Sequence, residues 1–193
     1  MGRLCSARYE RLARKCGWQR IAGLDEAGRG ALFGPVVAAA VIMNPKRRII
    51  GLDDSKKILP ARRETLAERI CEHAVAWSVA EIEPGKIDAW NIYQASRQAM
   101  QKALEALRIA PDYLLLDAML LDVALEQKSL IKGDTRSVSI AAASILAKVE
   151  RDQLMEKWHE VYPQYGLRQN KGYGTPEHLE ALRLHGPTPQ HRF

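Results

Sequence analysis

Acidic residues stand at the ends of several apolar segments of the chain. The four acids are Asp25, Glu26, Asp117 and Asp134. Short apolar segments are typical of buried strands, so carboxylates that follow them would lie at the mouth of a sheet. Carboxylates that converge without partners repel one another and raise one another's pKa values, so such a cluster usually implies a bound cation. Ligation by oxygen alone favours Mg²⁺ or Mn²⁺ over zinc.

Asp25 and Glu26 are adjacent, which limits how both could bind one ion. Neighbouring side chains on a strand point to opposite faces, so both reach one ion only where the backbone turns or a bulge intervenes. Gly28 and Gly30 supply that freedom, and they let the backbone approach a ligand closely. The alternative for the acidic pair is an ordinary polar turn. A phosphate-binding loop is excluded, because the stretch lacks both the GxGxxG spacing and a lysine followed by serine or threonine.

Two further segments carry residues that suit contacts with nucleic acid. Ser55, Lys56 and Lys57 follow two aspartates, and their hydroxyl and ammonium groups could bind a phosphodiester. The alternative for them is a solvated turn. Tyr173 stands between two glycines, which suits stacking on a sugar or base. The alternative for Tyr173 is packing against the last helix.

The five histidines form no HxxxH or HxxEH pair. His178, His185 and His191 gather in the last part of the sequence, where we expect them at the surface. A metal-free site that uses two histidines as acid and base has no convincing pair in this sequence.

Length and composition predict one domain over residues 1–193. The hydrophobic fraction of 47% is enough for a single packed core, and a net charge of +6 modestly favours a polyanionic partner. Three cysteines without a CxxC pair argue against a disulfide framework and against a cysteine zinc site. The sequence has neither a secretory signal nor an apolar run long enough to span a bilayer, so we expect no membrane association and a cytoplasmic location.

The apolar periodicity predicts an α/β layered domain, because strands and helices alternate. Strands are predicted over residues 21–24, 36–43, 75–82, 113–116 and 125–131, and helices over residues 60–73, 91–108, 139–162 and 176–185. Residues 1–17 suggest a short amphipathic helix or a mobile basic arm, and a solvated leader is the favoured interpretation. Residues from about 160 to 193 are predicted to form a helical C-terminal segment.

Several motifs occur in the order known from one protein family. They are DEAGRGxxxGP at residues 25–35, DSKKIL at 54–59, LLLDA at 114–118, KGD at 132–134, SIAAASILAKVERD at 139–152, KGYGTPEH at 171–178 and the ending HGPTPQHRF. From about residue 17 onward the chain resembles bacterial ribonuclease HII, the type 2 ribonuclease H.

The resemblance implies a ribonuclease H-like fold, with a five-stranded mixed sheet flanked by helices and a helical C-terminal segment that helps clasp the duplex. It implies that the four acids are the catalytic residues and bind Mn²⁺ or Mg²⁺. It also implies that the ribonucleotide at an RNA–DNA junction is recognised by Gly28, Arg29, Gly30 and Tyr173.

The implied activity is endonucleolytic cleavage of the RNA strand of RNA–DNA hybrids and cleavage at ribonucleotides embedded in duplex DNA. A two-metal-ion mechanism would leave 5′-phosphate and 3′-hydroxyl ends. The expected partners are these two kinds of duplex, and the expected state is a monomer.

The sequence departs from the family pattern at two places. Ala118 follows Asp117 where many members have glycine, and the chain stops at HRF where many relatives continue. Two other functions are compatible with the residues alone. One is a noncatalytic RNA–DNA binding module, which metal-dependent strand scission would exclude. The other is a phosphotransferase or nucleotide hydrolase, which would release phosphate from a nucleoside triphosphate.

Overall fold

The structure is a computed structural model that describes residues 5–193. The five strands are β1 (Ile21–Ala27), β2 (Val36–Ile42), β3 (Ala76–Ile82), β4 (Tyr113–Asp117) and β5 (Gln127–Leu130). The α-helices are α1 (Arg8–Lys15), α2 (Pro60–His73), α3 (Pro84–Trp90), α4 (Ile92–Glu105), α5 (Val138–Val161), α6 (Leu167–Asn170) and α7 (Pro176–His185). Short 3₁₀ turns cover Ser55–Lys57, Gly133–Thr135 and Pro163–Tyr165.

The strands form one mixed sheet in the order β3-β2-β1-β4-β5. β1 pairs antiparallel with β2, which pairs antiparallel with β3. On its other side β1 pairs parallel with β4, and β4 pairs parallel with β5. The predicted five-stranded mixed sheet is therefore confirmed. The carboxyl ends of β1, β4 and β5 meet at one edge of this sheet, because these three strands are parallel.

The long helix α5 packs closely on one face of the sheet. A Cβ atom on Gly23 would lie 2.1 Å from the backbone carbon of Ser139, so only glycine allows this approach. The alanines that follow Ser139, residues 141–143, are fully buried. As predicted, small side chains at the start of this helix let it lie directly against β1 and β2.

The opposite face of the sheet is covered by α4, whose buried side chains share an apolar core with β1, β2 and β4. The Asn91 side chain begins this helix by accepting hydrogen bonds from the backbone N–H groups of Tyr93 and Gln94, as expected of an N-cap. The sheet is therefore covered on both faces, while its edge at the ends of β1, β4 and β5 carries the acids.

Three sequence-based expectations differ from the structure. β1 extends to Ala27, three residues beyond its predicted end. α3 was not predicted, because its seven residues are too few to show a helical period. Residues 8–15 form a helix with Glu10 and Ala13 buried, so the solvated leader is wrong for this segment. The remaining residues of the predicted arm, 1–4, lie outside the described residues.

Within residues 5–193, the helices fall short of the combined length and hydropathy that a membrane span requires.

Candidate active site

The sheet brings the predicted acids to one edge, which we call the acidic edge (Asp25, Glu26, Asp117 and Asp134). The last parallel pair between β1 and β4 is Leu24 with Leu116, so the next residues, Asp25 and Asp117, come just beyond it. Asp134 lies in the 3₁₀ turn that follows β5. The backbone N–H of Gly133 donates to Asp117 Oδ1 at 2.7 Å and joins this turn to β4.

The expected turn or bulge at Asp25 and Glu26 is wrong. β1 pairs with β2 in unbroken register through both acids. Gly23 faces α5, so Asp25, two residues further along the strand, faces α5 as well, and Glu26 faces the other side of the sheet. The two acids therefore share the edge of the sheet but project from opposite faces.

Burial and repulsion dominate the electrostatics of the acidic edge. Burial raises the pKa of Asp25 well above its ordinary value, and the nearby charges of Glu26 and Asp117 raise it further. Burial likewise raises the pKa of Glu26 to about 6, although the Arg29 guanidinium, with its Nη1 atom 3.4 Å from Oε1, lowers it. The pKa of Asp134 is also raised, by burial first and then by Asp54 and Asp117.

The residue types at this edge fit a hard divalent cation. Each of the four side chains offers only oxygen donors, and the buried Glu26 Oε2 accepts no hydrogen bond within the described residues. Within residues 5–193, no group of three or more acidic, histidine or cysteine side chains is already arranged to hold a metal ion. The acids are neighbours whose negative charges repel one another, and a bound cation would relieve this repulsion.

Asp117 is followed by the first departure from the family pattern. Ala118 has a φ of 51°, in the left-handed region that glycine adopts without steric cost. Its side chain therefore imposes backbone strain at this position, next to a carboxylate of the acidic edge.

The predicted substrate-recognition residues lie together in two loops, which we call the reading loops (residues 28–34 and 171–174). The backbone N–H groups of Leu32 and Phe33 donate to the carbonyl of Gly172 at 2.8 and 3.2 Å. Ala31 and Tyr173 form an isolated antiparallel bridge. Arg29 is exposed beside Glu26, so the reading loops adjoin the acidic edge.

The fully buried Arg151 of α5 connects the two reading loops. Its guanidinium donates to the carbonyls of Phe33, Pro35 and Lys171 at 2.9, 3.2 and 2.7 Å. The guanidinium carbon lies 5.4 Å from the centre of the Tyr173 ring. Burial lowers the pKa of Arg151. Sequence reasoning did not assign this role to Arg151, although an arginine in the alanine-rich helix is a signal that could have suggested it.

Arg192 connects the first reading loop to the C-terminus. It donates to the carbonyls of Gly28, Arg29 and Gly34 at 2.6, 3.2 and 2.8 Å. Burial, with the charge of Arg151 beside it, lowers the pKa of Arg192 to about 10. Sequence reasoning left the C-terminal contacts open, and the structure assigns these to Arg192.

The expectation that the C-terminal histidines lie at the surface is wrong for two of the three. His178 and His191 are buried, and their Nε2 atoms are 3.2 Å apart, whereas His185 is exposed. The backbone N–H of Thr188 donates to His191 Nδ1 at 2.9 Å. His178 Nδ1 lies 2.9 Å from the carbonyl of Tyr173, so the histidine pair supports the second reading loop.

The DSKK segment has one buried and one exposed candidate. The Ser55 hydroxyl is buried and hydrogen-bonds to the Ser144 hydroxyl at 2.9 Å, while Lys56 is exposed. Ser144 also hydrogen-bonds to Asp25 and lowers its pKa. Ser55 is thus linked through Ser144 to the acidic edge. Ser144 escaped sequence reasoning, since one serine in an alanine-rich helix has no distinctive pattern.

Known proteins resemble this chain over nearly its whole length. The family model of ribonuclease HII matches residues 22–193. The ribonuclease HII of Solibacter usitatus is 56% identical over 189 residues, which cover 98% of this chain and 83% of that protein. The ribonuclease HII of Bacillus subtilis is 54% identical over 95% of this chain and 72% of its own length.

Solved structures give the same result. The ribonuclease H2 of Pyrococcus horikoshii has a TM-score of 0.78 and 29% identity, covering 90% of this chain and 92% of that one. A ribonuclease HII of Archaeoglobus fulgidus, solved in complex with PCNA, has a TM-score of 0.76 and 28% identity over 91% of this chain and 94% of that one. The chain therefore belongs to the ribonuclease HII family, and it is a metal-dependent ribonuclease H that hydrolyses phosphodiester bonds in RNA–DNA hybrids.

Proposed function

We propose that this ribonuclease H cuts endonucleolytically both within the RNA strand of RNA–DNA hybrids and at single ribonucleotides embedded in duplex DNA. The observation that carries this proposal is the contact between two differently built regions. The acidic edge, where carboxylates gather and Glu26 Oε2 has no hydrogen-bond partner within the described residues, adjoins loops that present an exposed arginine and a tyrosine ring.

Asp25, Glu26, Asp117 and Asp134 are the proposed catalytic and metal-binding residues. Mn²⁺ or Mg²⁺ fits their oxygen donors, and two such ions would supply the charge that activates a water and stabilises the departing 3′ oxygen. The four carboxylates hold that charge beside the scissile phosphate. Ser144 and the backbone N–H of Gly133 orient Asp25 and Asp117 by hydrogen bonding to them.

The reading loops recognise the ribose. Only the 2′-hydroxyl distinguishes RNA from DNA at a given nucleotide, and backbone groups of Gly28, Arg29 and Gly30 can approach it without steric hindrance. The Tyr173 ring provides a stacking surface next to these groups. Arg151 and Arg192 act as positioning residues, because they hold the loops from the buried side.

Lys56 is the proposed phosphate contact of the DSKK segment, because its ammonium group is exposed. The buried Ser55 hydroxyl bonds to Ser144, so we assign Ser55 to positioning this segment beside Asp25. We further propose that the protein acts as a monomer in the cytoplasm, as its sequence suggests.

The decisive experiment is cleavage of a labelled DNA duplex that carries one ribonucleotide, with and without Mn²⁺, followed by identification of the product ends. Metal-dependent incision with 5′-phosphate and 3′-hydroxyl ends is expected. A cyclic phosphate would mean that the 2′-hydroxyl is the nucleophile and would exclude the proposed chemistry. Cleavage of hybrids alone would limit the function to the RNA strand.

Two pairs of variants separate the proposed roles. Asp117→Asn removes a ligand charge and should abolish cleavage, whereas Asp112→Asn, an acid paired with Arg20 away from the edge, should leave it intact. Tyr173→Phe keeps the ring and should preserve incision at the single ribonucleotide, whereas Tyr173→Ala should reduce it. Equal activity of the two Tyr173 variants would remove the ring from substrate recognition.

A further inference from the structure

A cavity of about 590 Å³ lies between α1, the segment after β2 and the start of α5. Four arginines in its lining come from two parts of the chain, and we call them the arginine rim (Arg11, Arg14, Arg47 and Arg48). None of the roles described above uses this cavity or its arginines.

The cavity is acidic in its depth. Glu10, also in the lining, is buried, and its Oε1 accepts hydrogen bonds from the Ser139 backbone N–H and hydroxyl at 3.0 and 2.7 Å and from the Ser137 hydroxyl. Glu10 Oε2 accepts no hydrogen bond from residues 5–193. A negatively charged group would therefore be repelled from the depth of the cavity and attracted to its rim.

The rim is strongly positive. Arg11, Arg47 and Arg48 are exposed, and Arg14 is partly exposed. In the part of the chain that the structure describes, these four arginines form no ion pair, and Arg47 instead contacts the Nδ1 atom of His73 at 3.4 Å. Four guanidinium groups without acidic partners suit an extended polyanion, since arginine binds phosphate oxygens with several N–H donors.

Helix α5 gives the order of the cavity, the acidic edge and the Tyr173 contact along one axis. Val138 at its start lines the cavity, Ser144 bonds to Asp25, and Arg151 lies beside the Tyr173 ring. At 1.5 Å per residue, Val138 lies about 9 Å along the helix axis on one side of Ser144, and Arg151 lies about 10 Å along it on the other side. The acidic edge thus lies between the two.

We propose that the arginine rim binds the phosphate backbone of one flank of the substrate duplex, on the side of the cleaved linkage away from Tyr173. This inference rests on the proposed cleavage function. The duplex then lies over the acidic edge, with its ribonucleotide against the reading loops and one flank across the rim.

The test compares the Arg47→Ala/Arg48→Ala variant with wild type on three duplexes that carry one ribonucleotide. One duplex has long flanks on both sides, and each of the others is trimmed on one side to about two base pairs. The matched control is Lys102→Ala/Arg108→Ala, which removes the same amount of charge. Lys102 lies in α4 and Arg108 just after it, on the other face of the sheet. Duplex binding without divalent ions is measured across a range of salt concentrations.

For the long duplex, the rim variant should raise KM about tenfold with little change in kcat, and its binding should lose about two units of salt slope. The difference from wild type should vanish for one trimmed duplex and persist for the other, while the control variant should behave like wild type. Wild-type binding of the long duplex by the rim variant would overturn the proposal, as would an equal loss on all three duplexes.

Failure of the proposed function is a separate result. If wild type left the single ribonucleotide uncut, that function would fail, yet the salt slopes measured without divalent ions would still decide whether the arginine rim contacts the duplex. If the rim variant lowered only kcat, its arginines would act on the chemical step and not on duplex binding. That result would also contradict the inference.

Discussion

The acidic edge and the reading loops adjoin each other but are held in place in different ways. Regular strand pairing brings Asp25 and Asp117 to the edge, where like charges meet. Burial and these neighbouring charges raise the pKa values of Asp25 and Asp134. The reading loops have irregular backbone, and the buried Arg151 and the partly buried Arg192 donate hydrogen bonds to their carbonyls.

Stability and function conflict at the acidic edge but not in the reading loops. Carboxylates at the acidic edge cost stability until a cation binds, so removing one charge should stabilise the free protein. Arg151 and Arg192 satisfy buried carbonyls, so removing either should destabilise it. Variants in the two regions should therefore change the free energy of unfolding in opposite directions.

The largest effect is expected for Arg151→Met. This change leaves the carbonyls of Phe33, Pro35 and Lys171 without their donors in a buried site, and it should lower the free energy of unfolding by about 4 kcal/mol. Urea unfolding measures this loss. The control is Arg183→Met, which removes an exposed arginine paired with Glu180 and should have little effect. Equal stability of the two variants would show that Arg151 does not hold the loops.

A smaller loss is expected for Gly28→Ala. Gly28 has a φ of 94°, and a Cβ atom there would lie 2.1 Å from Nε of the buried Arg151. The free energy of unfolding should fall by roughly 3 kcal/mol, which thermal and urea unfolding can both measure. Gly30→Ala is the matched control in the same loop, because its Cβ would meet nothing within 4 Å. A similar loss in both variants would mean that the loop tolerates neither, independently of Arg151.

The two regions also differ in how far they could be predicted from sequence. Strand pairing brings Asp25, Glu26 and Asp117 to one edge, and the turn after β5 adds Asp134, so the pattern of acids at strand ends was informative. The continuous strand through Asp25 and Glu26 was missed, because glycines that allow a turn do not require one. Arg151, Arg192 and the His178–His191 pair act through contacts between segments far apart in sequence, which local patterns cannot reveal.

The histidine pair should make the reading loops sensitive to acid. Burial and the neighbouring His178 lower the pKa of His191 to about 4, from an ordinary value of 6.5. As pH falls below 6.5, His191 binds a proton in the unfolded chain but stays neutral in the folded protein. The free energy of unfolding therefore falls until the pH reaches about 4. Above pH 6.5 the group is neutral in both states and contributes no pH dependence.

Between neutral pH and about pH 4.5, the titration of His191 alone should lower the free energy of unfolding by roughly 2 kcal/mol. His191→Asn should be less stable at neutral pH but should show a correspondingly flatter dependence over the same range, measured by urea unfolding at several pH values. His185→Asn, at an exposed site, should keep the wild-type dependence. An unchanged dependence in the His191 variant would assign the acid sensitivity to other groups.

The smallest effect has the opposite sign. Asp25→Asn keeps the size of the side chain but removes a buried charge that the nearby charges of Glu26 and Asp117 repel, so the free protein without divalent ions should gain about 1 kcal/mol in the free energy of unfolding. Asp112→Asn is the contrasting control, since Asp112 is paired with Arg20 and should lose stability when neutralised. Added Mn²⁺ should stabilise wild type more than Asp25→Asn, because only wild type keeps all four carboxylates. If Asp25→Asn destabilised the free protein as Arg151→Met does, the acidic edge would owe its stability to the charge of Asp25, and the contrast between the two regions would fail.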